Sequence, residues 1–96
     1  MTSEQKERRP IKIVADKDIP FLQGALEPYT EIIYKKGDDI CREDLLDADA
    51  LITRTRTICG EKLLYGTAVK AIATATIGTD HVDLKWCAAN GIEVHN

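Results

Sequence analysis

Five short segments rich in apolar and β-branched residues recur along the chain, separated by polar or turn-forming residues. Short segments of this kind have the length of buried β-strands, and a charged or turn-forming loop typically follows such a strand where it reaches the surface. The segments span residues 11–15, 31–34, 50–53, 69–73 and 92–96. The pattern therefore predicts five β-strands.

Helix signals lie between these strands. The predicted helices span residues 20–28, 43–48, 61–64 and 80–90. Pro20 suits the first turn of a helix, and Gly66 closes the third helix. For the last helix, Asp80 is the predicted N-cap and Asp83 lies in the first turn, where an acid complements the helix dipole. Gly91 is predicted to end that helix in a left-handed conformation.

The alternation of strands and helices predicts the fold class. Strands that alternate with helices favour a parallel sheet with right-handed crossovers. We expect an α/β fold with a flavodoxin-like parallel sheet of five strands and helices on both faces. Residues 1–10 are almost wholly polar and lack apolar periodicity, so they are predicted to form a flexible N-terminal extension to a single domain spanning 11–96.

Composition and charge narrow the possible function classes. The chain has 96 residues, 44% of them hydrophobic and 30% charged, as in an ordinary soluble domain. Its formal net charge is -3, whereas nucleic-acid-binding domains usually carry a basic surplus. No apolar run is long enough to span a bilayer, and no signal-peptide pattern occurs at the start. We therefore expect a cytoplasmic protein that binds neither nucleic acid nor membrane.

Metal binding is not expected. The three cysteines, Cys41, Cys59 and Cys87, are far apart and lack the close pairing of a structural zinc site. An odd number of cysteines also suits a reducing compartment. Each cysteine is interpreted as a small, buried or half-buried apolar residue.

Polar residues that could bind a ligand follow the third and fourth predicted strands, and ligands of open parallel sheets bind beyond the carboxyl ends of the strands. Arg54 and Thr55 follow the third strand. Thr76, Gly78 and Thr79 follow the fourth, at a predicted helix N-terminus. A guanidinium, hydroxyl donors and free N–H groups suit a phosphate or a carboxylate. The alternative, in which the threonines are ordinary strand and loop residues and the arginines are surface charges, stays open.

Two further patterns bear on catalysis and cofactor binding. His81 lies beside Asp80 and Asp83, which could indicate a general base, but we favour a histidine that makes local hydrogen bonds at a helix start. The glycines never form the G-x-G-x-x-G pattern that receives a dinucleotide pyrophosphate, and there is no Walker-type lysine loop. The chain by itself is therefore not expected to bind NAD or ATP.

Three stretches of the sequence carry a family resemblance. They are IVADKDIP at residues 13–20, ADALITRT at 48–55 and TATIGTDHVD at 74–83. Together they resemble the N-terminal region of the D-isomer-specific 2-hydroxyacid dehydrogenases, and most specifically the members that oxidise 4-phosphoerythronate. The likeness covers nearly all of the chain after Pro10, although Thr55 stands where serine is common and Ile77 where a smaller residue is usual.

This resemblance implies a two-domain enzyme whose active site lies between a flavodoxin-like substrate domain and an NAD-binding Rossmann domain. It implies that residues 11–96 are the N-terminal part of the substrate domain, and that the Rossmann domain and the catalytic residues lie beyond this chain, which alone is expected to be inactive. Thr55 and Thr76 are implied to contact the substrate, with Arg54 assisting. The complete enzyme is implied to be a homodimer that transfers a hydride from C2 of 4-phosphoerythronate to NAD, on the route to pyridoxal phosphate.

Two alternatives remain at this point. The chain could be the substrate domain of another member of the family, such as a phosphoglycerate or glycerate dehydrogenase, although the stretch from Thr74 to Thr76 disfavours this. It could also be a stand-alone flavodoxin-like binding or signalling module. A receiver-type signalling domain needs an aspartate at the end of its third strand, where this chain has Thr53 followed by Arg54.

Overall fold

The computed structural model of the chain describes residues 11–19, 30–75 and 78–95 as alternating strands and helices. The strands are β1 (Ile11–Asp16), β2 (Thr30–Lys35), β3 (Ala50–Thr53), β4 (Ala71–Thr74) and β5 (Glu93–His95). The helices are α1 (Arg42–Leu45), α2 (Glu61–Leu64) and α3 (Leu84–Ala89), and a 3-10 turn, Gly37–Asp39, precedes α1. The predicted extension 1–10 and the predicted helix 20–28 lie outside the described residues.

The strands form one parallel sheet in the order β2-β1-β3-β4-β5. Its register places one apolar residue from each strand in a single row across the sheet. In spatial order this row is Ile33, Val14, Leu51, Ile72 and Val94. Val14, Leu51 and Ile72 are completely buried. Because this strand order is the flavodoxin-like one, the structure confirms the predicted α/β fold class.

Each described helix contributes one buried side chain to the core. Leu45 of α1, Leu64 of α2 and Cys87 of α3 belong to the same apolar cluster as Leu51 and Ile72. Helices as short as these are not stable on their own, since nucleation is costly and few hydrogen bonds follow it. Burial of their apolar side chains against the sheet therefore stabilises them.

The direction of the crossovers determines which face each helix covers. The connections that contain α1, α2 and α3 all run in the same direction across the sheet, from β2 towards β5. Right-handed crossovers in one direction place their helices on one face of the sheet. The connection from β1 to β2 runs in the opposite direction, and its segment 20–28 lies outside the described residues.

The prediction for the start of the last helix was wrong. The helix α3 begins at Leu84, and Asp83, not Asp80, is its N-cap: the Asp83 carboxylate accepts a hydrogen bond from the Trp86 backbone N–H at 3.0 Å. The helix does not begin earlier because Asp80 and His81 form a turn and Val82 bridges to Cys59, whose N–H donates to the His81 carbonyl and whose carbonyl accepts from the Asp83 N–H. The end of the helix agrees with the prediction, since Gly91 adopts a φ of 73°.

The predicted bounds of three other elements differ slightly from the observed bounds, because buried apolar residues lie next to these elements. The second predicted helix, 43–48, ends instead at Leu45, and the strands predicted at 69–73 and 92–96 are Ala71–Thr74 and Glu93–His95. Ala48, Val69 and Ile92 lie outside the elements yet are buried in the core. An apolar pattern indicates burial, whereas a strand or a helix also requires regular backbone hydrogen bonds.

The N-cap assignment leads to a first prediction. Asp83→Ala should lower the free energy of unfolding by about 1 kcal/mol, because the Trp86 N–H loses its acceptor. Asp80→Ala is the matched control: it removes an exposed aspartate that does not cap α3, and its effect should stay within about 0.5 kcal/mol. Urea unfolding followed by circular dichroism measures both changes. Equal effects of the two substitutions would contradict the assignment.

The buried thiols lead to a second prediction, on alkaline stability. Burial raises the pKa of Cys59 to about 12, with a further contribution from nearby Cys87. In the unfolded chain the Cys59 thiol loses its proton near pH 9, whereas in the folded chain it stays protonated to higher pH. Deprotonation above pH 9 therefore favours the unfolded state. Stability should therefore be retained below about pH 9 and fall as the pH rises towards 12.

Matched cysteine substitutions test this alkaline decrease. Cys59→Ala should reduce the slope of unfolding free energy against pH above pH 9, because it removes the group whose pKa differs between the two states. Cys41→Ala removes an exposed thiol and should reduce the slope less than Cys59→Ala does. Denaturant unfolding at several pH values gives the slopes, and a Cys59→Ala protein with the wild-type slope would rule out this cause.

Candidate functional site

A cleft lies where the order of the strands reverses. The chain leaves β1 towards β2 on one side and leaves β3 towards β4 on the other, so a crevice opens between the carboxyl ends of β1 and β3. This switch-point cleft has a volume of about 540 Å³. It is lined by Asp16, Asp18, Arg54, Thr55 and Arg56.

Two arginines and a threonine form one wall of the switch-point cleft. The strand β3 ends at the buried Thr53, and the three residues that follow are exposed in a turn. The Arg54 guanidinium donates from Nη1 to the Asp18 carbonyl oxygen at 3.0 Å. Arg56 makes no hydrogen bond or ion pair with any other described residue. The predicted residues Arg54 and Thr55 thus lie together in a cleft with a second guanidinium, an arrangement suited to an oxyanion.

The opposite wall of this cleft carries two carboxylates that the sequence analysis did not predict as site residues. Asp16 ends β1 with 1% of its surface exposed, and its Oδ1 accepts a hydrogen bond from the Asp18 N–H at 2.9 Å. Asp18 is exposed at the rim. The available signal was the sequence Asp-Lys-Asp at residues 16–18, directly after the first predicted strand. The exposed Asp18 carboxylate can accept a hydrogen bond from a hydroxyl group of a ligand whose anionic group faces the arginines.

A second, smaller cleft lies between the ends of β3 and β4. This β3–β4 cleft has a volume of about 290 Å³ and is lined by Thr55, Ile58, Gly78, Asp80 and His81. Thr55 borders both clefts. The structure thus brings Thr55 and Gly78 to one cleft, whereas the predicted site residue Thr76 lies outside the described residues. The helix N-terminus predicted beside Gly78 is not present, because α3 begins only at Leu84.

His81 joins the segment before α3 to the end of β3. Its side chain is 6% exposed, and Nε2 lies 3.3 Å from the Thr53 hydroxyl oxygen. Its carbonyl oxygen accepts a hydrogen bond from the Cys59 N–H at 2.7 Å. The other ring nitrogen, Nδ1, is buried without a hydrogen-bond partner among the described residues. His81 is thus a packed residue of the loop rather than a residue in the first turn of a helix.

Buried polar side chains concentrate at this edge of the sheet. Within the described part of the chain they are Asp16, Thr53, Thr57, Thr74 and His81. All of them lie at the carboxyl ends of β1, β3 and β4 or in the segments that follow these strands. A buried polar group needs a partner to offset its desolvation, so this edge is the part of the core that is built for polar contacts.

Two kinds of feature are absent from residues 11–19, 30–75 and 78–95. No group of three or more His, Cys, Asp or Glu side chains is clustered as a metal ion would require. None of the helices in these ranges is long and apolar enough to cross a membrane.

Comparison with known proteins gives similar sequences and similar folds. Erythronate-4-phosphate dehydrogenase of Bacteroides thetaiotaomicron is 52% identical over 87 residues, which are 90% of this chain and 25% of that protein. The chain therefore spans about a quarter of the length of this relative.

Solved structures with this fold are also substantially longer proteins. The structure of D-lactate dehydrogenase from Aquifex aeolicus, complexed with NAD and lactic acid, superposes with a TM-score of 0.70 at 28% identity, covering 86% of this chain and 26% of that one. The NAD-bound 3-phosphoglycerate dehydrogenase of Entamoeba histolytica gives a TM-score of 0.64 at 28% identity, covering 88% and 32%.

A family model completes the comparison. The model for the catalytic domain of the D-isomer specific 2-hydroxyacid dehydrogenases matches residues 10–96. Because this match includes every described strand and helix, the chain belongs to the D-isomer specific 2-hydroxyacid dehydrogenase family.

Proposed function

We propose that this chain is the N-terminal part of the substrate-binding domain of an oxidoreductase that transfers a hydride from C2 of 4-phosphoerythronate to NAD. The observation that carries this proposal is the cleft that pairs Arg54 and Arg56 with Thr55 at the switch point. The 52% identity to a protein named erythronate-4-phosphate dehydrogenase supports this choice of substrate. The product is the corresponding 2-oxo acid, on the route to pyridoxal phosphate.

The proposed roles of the site residues follow from their chemistry. Arg54 offers the N–H groups that its bond to the Asp18 carbonyl leaves free, and guanidinium groups bind phosphate and carboxylate oxygens in pairs. Thr55 donates its exposed hydroxyl to the same ligand. Thr76 is proposed as a second hydroxyl donor on the family resemblance. No residue of this chain is proposed to take part directly in hydride transfer.

The NAD site is proposed to lie in the remaining length of the complete protein. The glycines that the structure describes occur singly in separate loops, and none opens a long helix that could receive a pyrophosphate. The described residues therefore do not fit the dinucleotide. We further propose that the complete enzyme is a cytoplasmic homodimer and that this chain alone is inactive.

A third prediction concerns the substrate of the full-length protein that carries this chain. We expect NAD-linked oxidation of 4-phosphoerythronate with a higher kcat/KM than that of 3-phosphoglycerate, measured side by side as NADH absorbance. A preference for 3-phosphoglycerate would instead assign the chain to a phosphoglycerate dehydrogenase, whose fold it also resembles. Oxidation of neither compound would contradict the proposal and favour a binding module.

A fourth prediction concerns Thr55. Thr55→Val in the full-length protein should raise KM for 4-phosphoerythronate roughly fivefold, because it removes a hydrogen bond to the substrate worth about 1 kcal/mol. Thr67→Val is the matched control, since the Thr67 hydroxyl bonds the Leu64 carbonyl and lies outside both clefts. Steady-state kinetics should show an unchanged KM for this control. A Thr55→Val enzyme with wild-type KM would remove Thr55 from the site.

A further inference from the structure

Asp16 borders the switch-point cleft, but its carboxylate is almost completely buried. It ends β1, and only 1% of its surface is exposed, so a ligand in the cleft cannot contact it to any useful extent. Burying a carboxylate is costly unless hydrogen bonds compensate for the lost water. Direct binding of a ligand therefore does not explain why a carboxylate is buried here. The contacts of the two Asp16 carboxylate oxygens provide an explanation.

The first oxygen of Asp16 shapes the turn that follows β1. Oδ1 accepts a hydrogen bond from the Asp18 N–H at 2.9 Å, and the Asp16 carbonyl accepts one from the Ile19 N–H at 3.3 Å. An aspartate that bonds the backbone N–H two residues later is a common device for fixing a tight turn. The orientation of the peptide after Asp18 is thus determined by Asp16.

The second oxygen of Asp16 is held against the loop after β2. A Cβ atom built on Gly37 would lie 2.6 Å from Oδ2, so only glycine allows this loop to approach the carboxylate so closely. The Gly37 carbonyl in turn accepts a hydrogen bond from the Thr57 hydroxyl at 3.1 Å. Loops after β1, β2 and β3 therefore meet around one buried side chain.

The turn that Asp16 shapes is also the support of Arg54. The Asp18 carbonyl oxygen accepts a hydrogen bond from Arg54 Nη1 at 3.0 Å. Arg54 is otherwise exposed. An exposed arginine samples many rotamers, and binding of an anion then costs the entropy of fixing one of them. A guanidinium already held in the cleft loses less entropy when the anion arrives.

We infer that Asp16 is a positioning residue of the anion site: through the turn of Asp18 it holds the Arg54 guanidinium in the switch-point cleft without touching the ligand. The inference rests on the function proposed above for Arg54. It gives the buried Asp16 carboxylate a role in ligand binding. It also explains the contacts that Asp16 makes with Asp18 and Gly37.

A kinetic test uses the full-length protein and a double-mutant cycle. Asp16→Ala should raise KM for 4-phosphoerythronate by about tenfold, because the support of Arg54 is lost, and should change kcat less than about twofold. On an Arg54→Met background, Asp16→Ala should raise KM no further, because its effect passes through Arg54. A tenfold rise on that background as well would overturn the inference and leave Asp16 a general structural role.

Two control variants sharpen this test. Asp16→Asn keeps an oxygen that can accept the Asp18 N–H, so it should retain most of the wild-type affinity. Asp38→Ala removes an exposed acid from the neighbouring 3-10 turn and should leave KM unchanged. If Asp16→Asn weakened substrate binding as much as Asp16→Ala does, the hydrogen bond to Asp18 would not be the cause.

A chemical readout separates this inference from the proposed function. Phenylglyoxal modifies both terminal nitrogens of an arginine, and mass spectrometry compares Arg54 with Arg56 in the same molecule. In wild-type and Asp16→Asn proteins Arg54 should react about threefold or more slowly than Arg56, whose guanidinium is unbonded among the described residues. In Asp16→Ala the two rates should become similar.

The outcomes of this readout do not depend on the substrate. Equal reactivity of Arg54 and Arg56 in the wild-type protein would overturn the inference even if Asp16→Ala failed to fold. A wild-type protein that does not oxidise 4-phosphoerythronate but protects Arg54 as described would overturn the proposed function and leave the positioning of Arg54 by Asp16 in place.

Discussion

The register between β1 and β3 is the constraint on which the rest of the structure depends. Val14 pairs with Leu51, and both are completely buried, so a slip of one residue would break the row of apolar side chains across the sheet and move Leu51 out of the buried cluster. This same pairing brings Asp16 and Thr53 to the same level at the end of their strands. Since Thr53 also pairs with Thr74, three loops begin side by side at one edge of the sheet. Packing in the core thus sets the geometry of the clefts above it.

Buried apolar residues and buried polar residues occupy different parts of the sheet. Its core consists of aliphatic residues and two cysteines, whereas the buried polar side chains of the described ranges lie at the carboxyl edge. Polar groups in a core lower stability unless they are paired, so their restriction to this edge limits that cost to the part of the sheet where the two clefts lie. The middle of the sheet can then be stabilised by apolar contact alone.

The sequence allowed most of the sheet to be predicted, since each buried strand is an apolar segment bounded by turn residues. The third strand and the helix Glu61–Leu64 were predicted with their exact bounds. The start of the last helix was not, because Asp80 and Asp83 are both suitable caps and the choice depends on a distant backbone pairing with Cys59. Local propensity does not contain that information.

The candidate site was predictable to a similar degree. Arg54 and Thr55 follow a strand end directly and could be identified from their position and from the family resemblance. Asp16 could not be identified in this way. Its proposed role depends on contacts with Gly37 and with the turn that supports Arg54, and these contacts join segments that are far apart in sequence. Such contacts exist only once the sheet has formed.

Thr55 stands between the two clefts and forms part of the wall of each. A side chain in that place acts as a partition: a smaller one would merge the spaces into one elongated groove, and a bulkier one would isolate them. Under the proposed function, the length of ligand that the clefts accept would therefore change through a single codon, while every strand keeps its position. In a family whose members act on acids of different size, this is an economical route by which new specificity can evolve on an unchanged sheet.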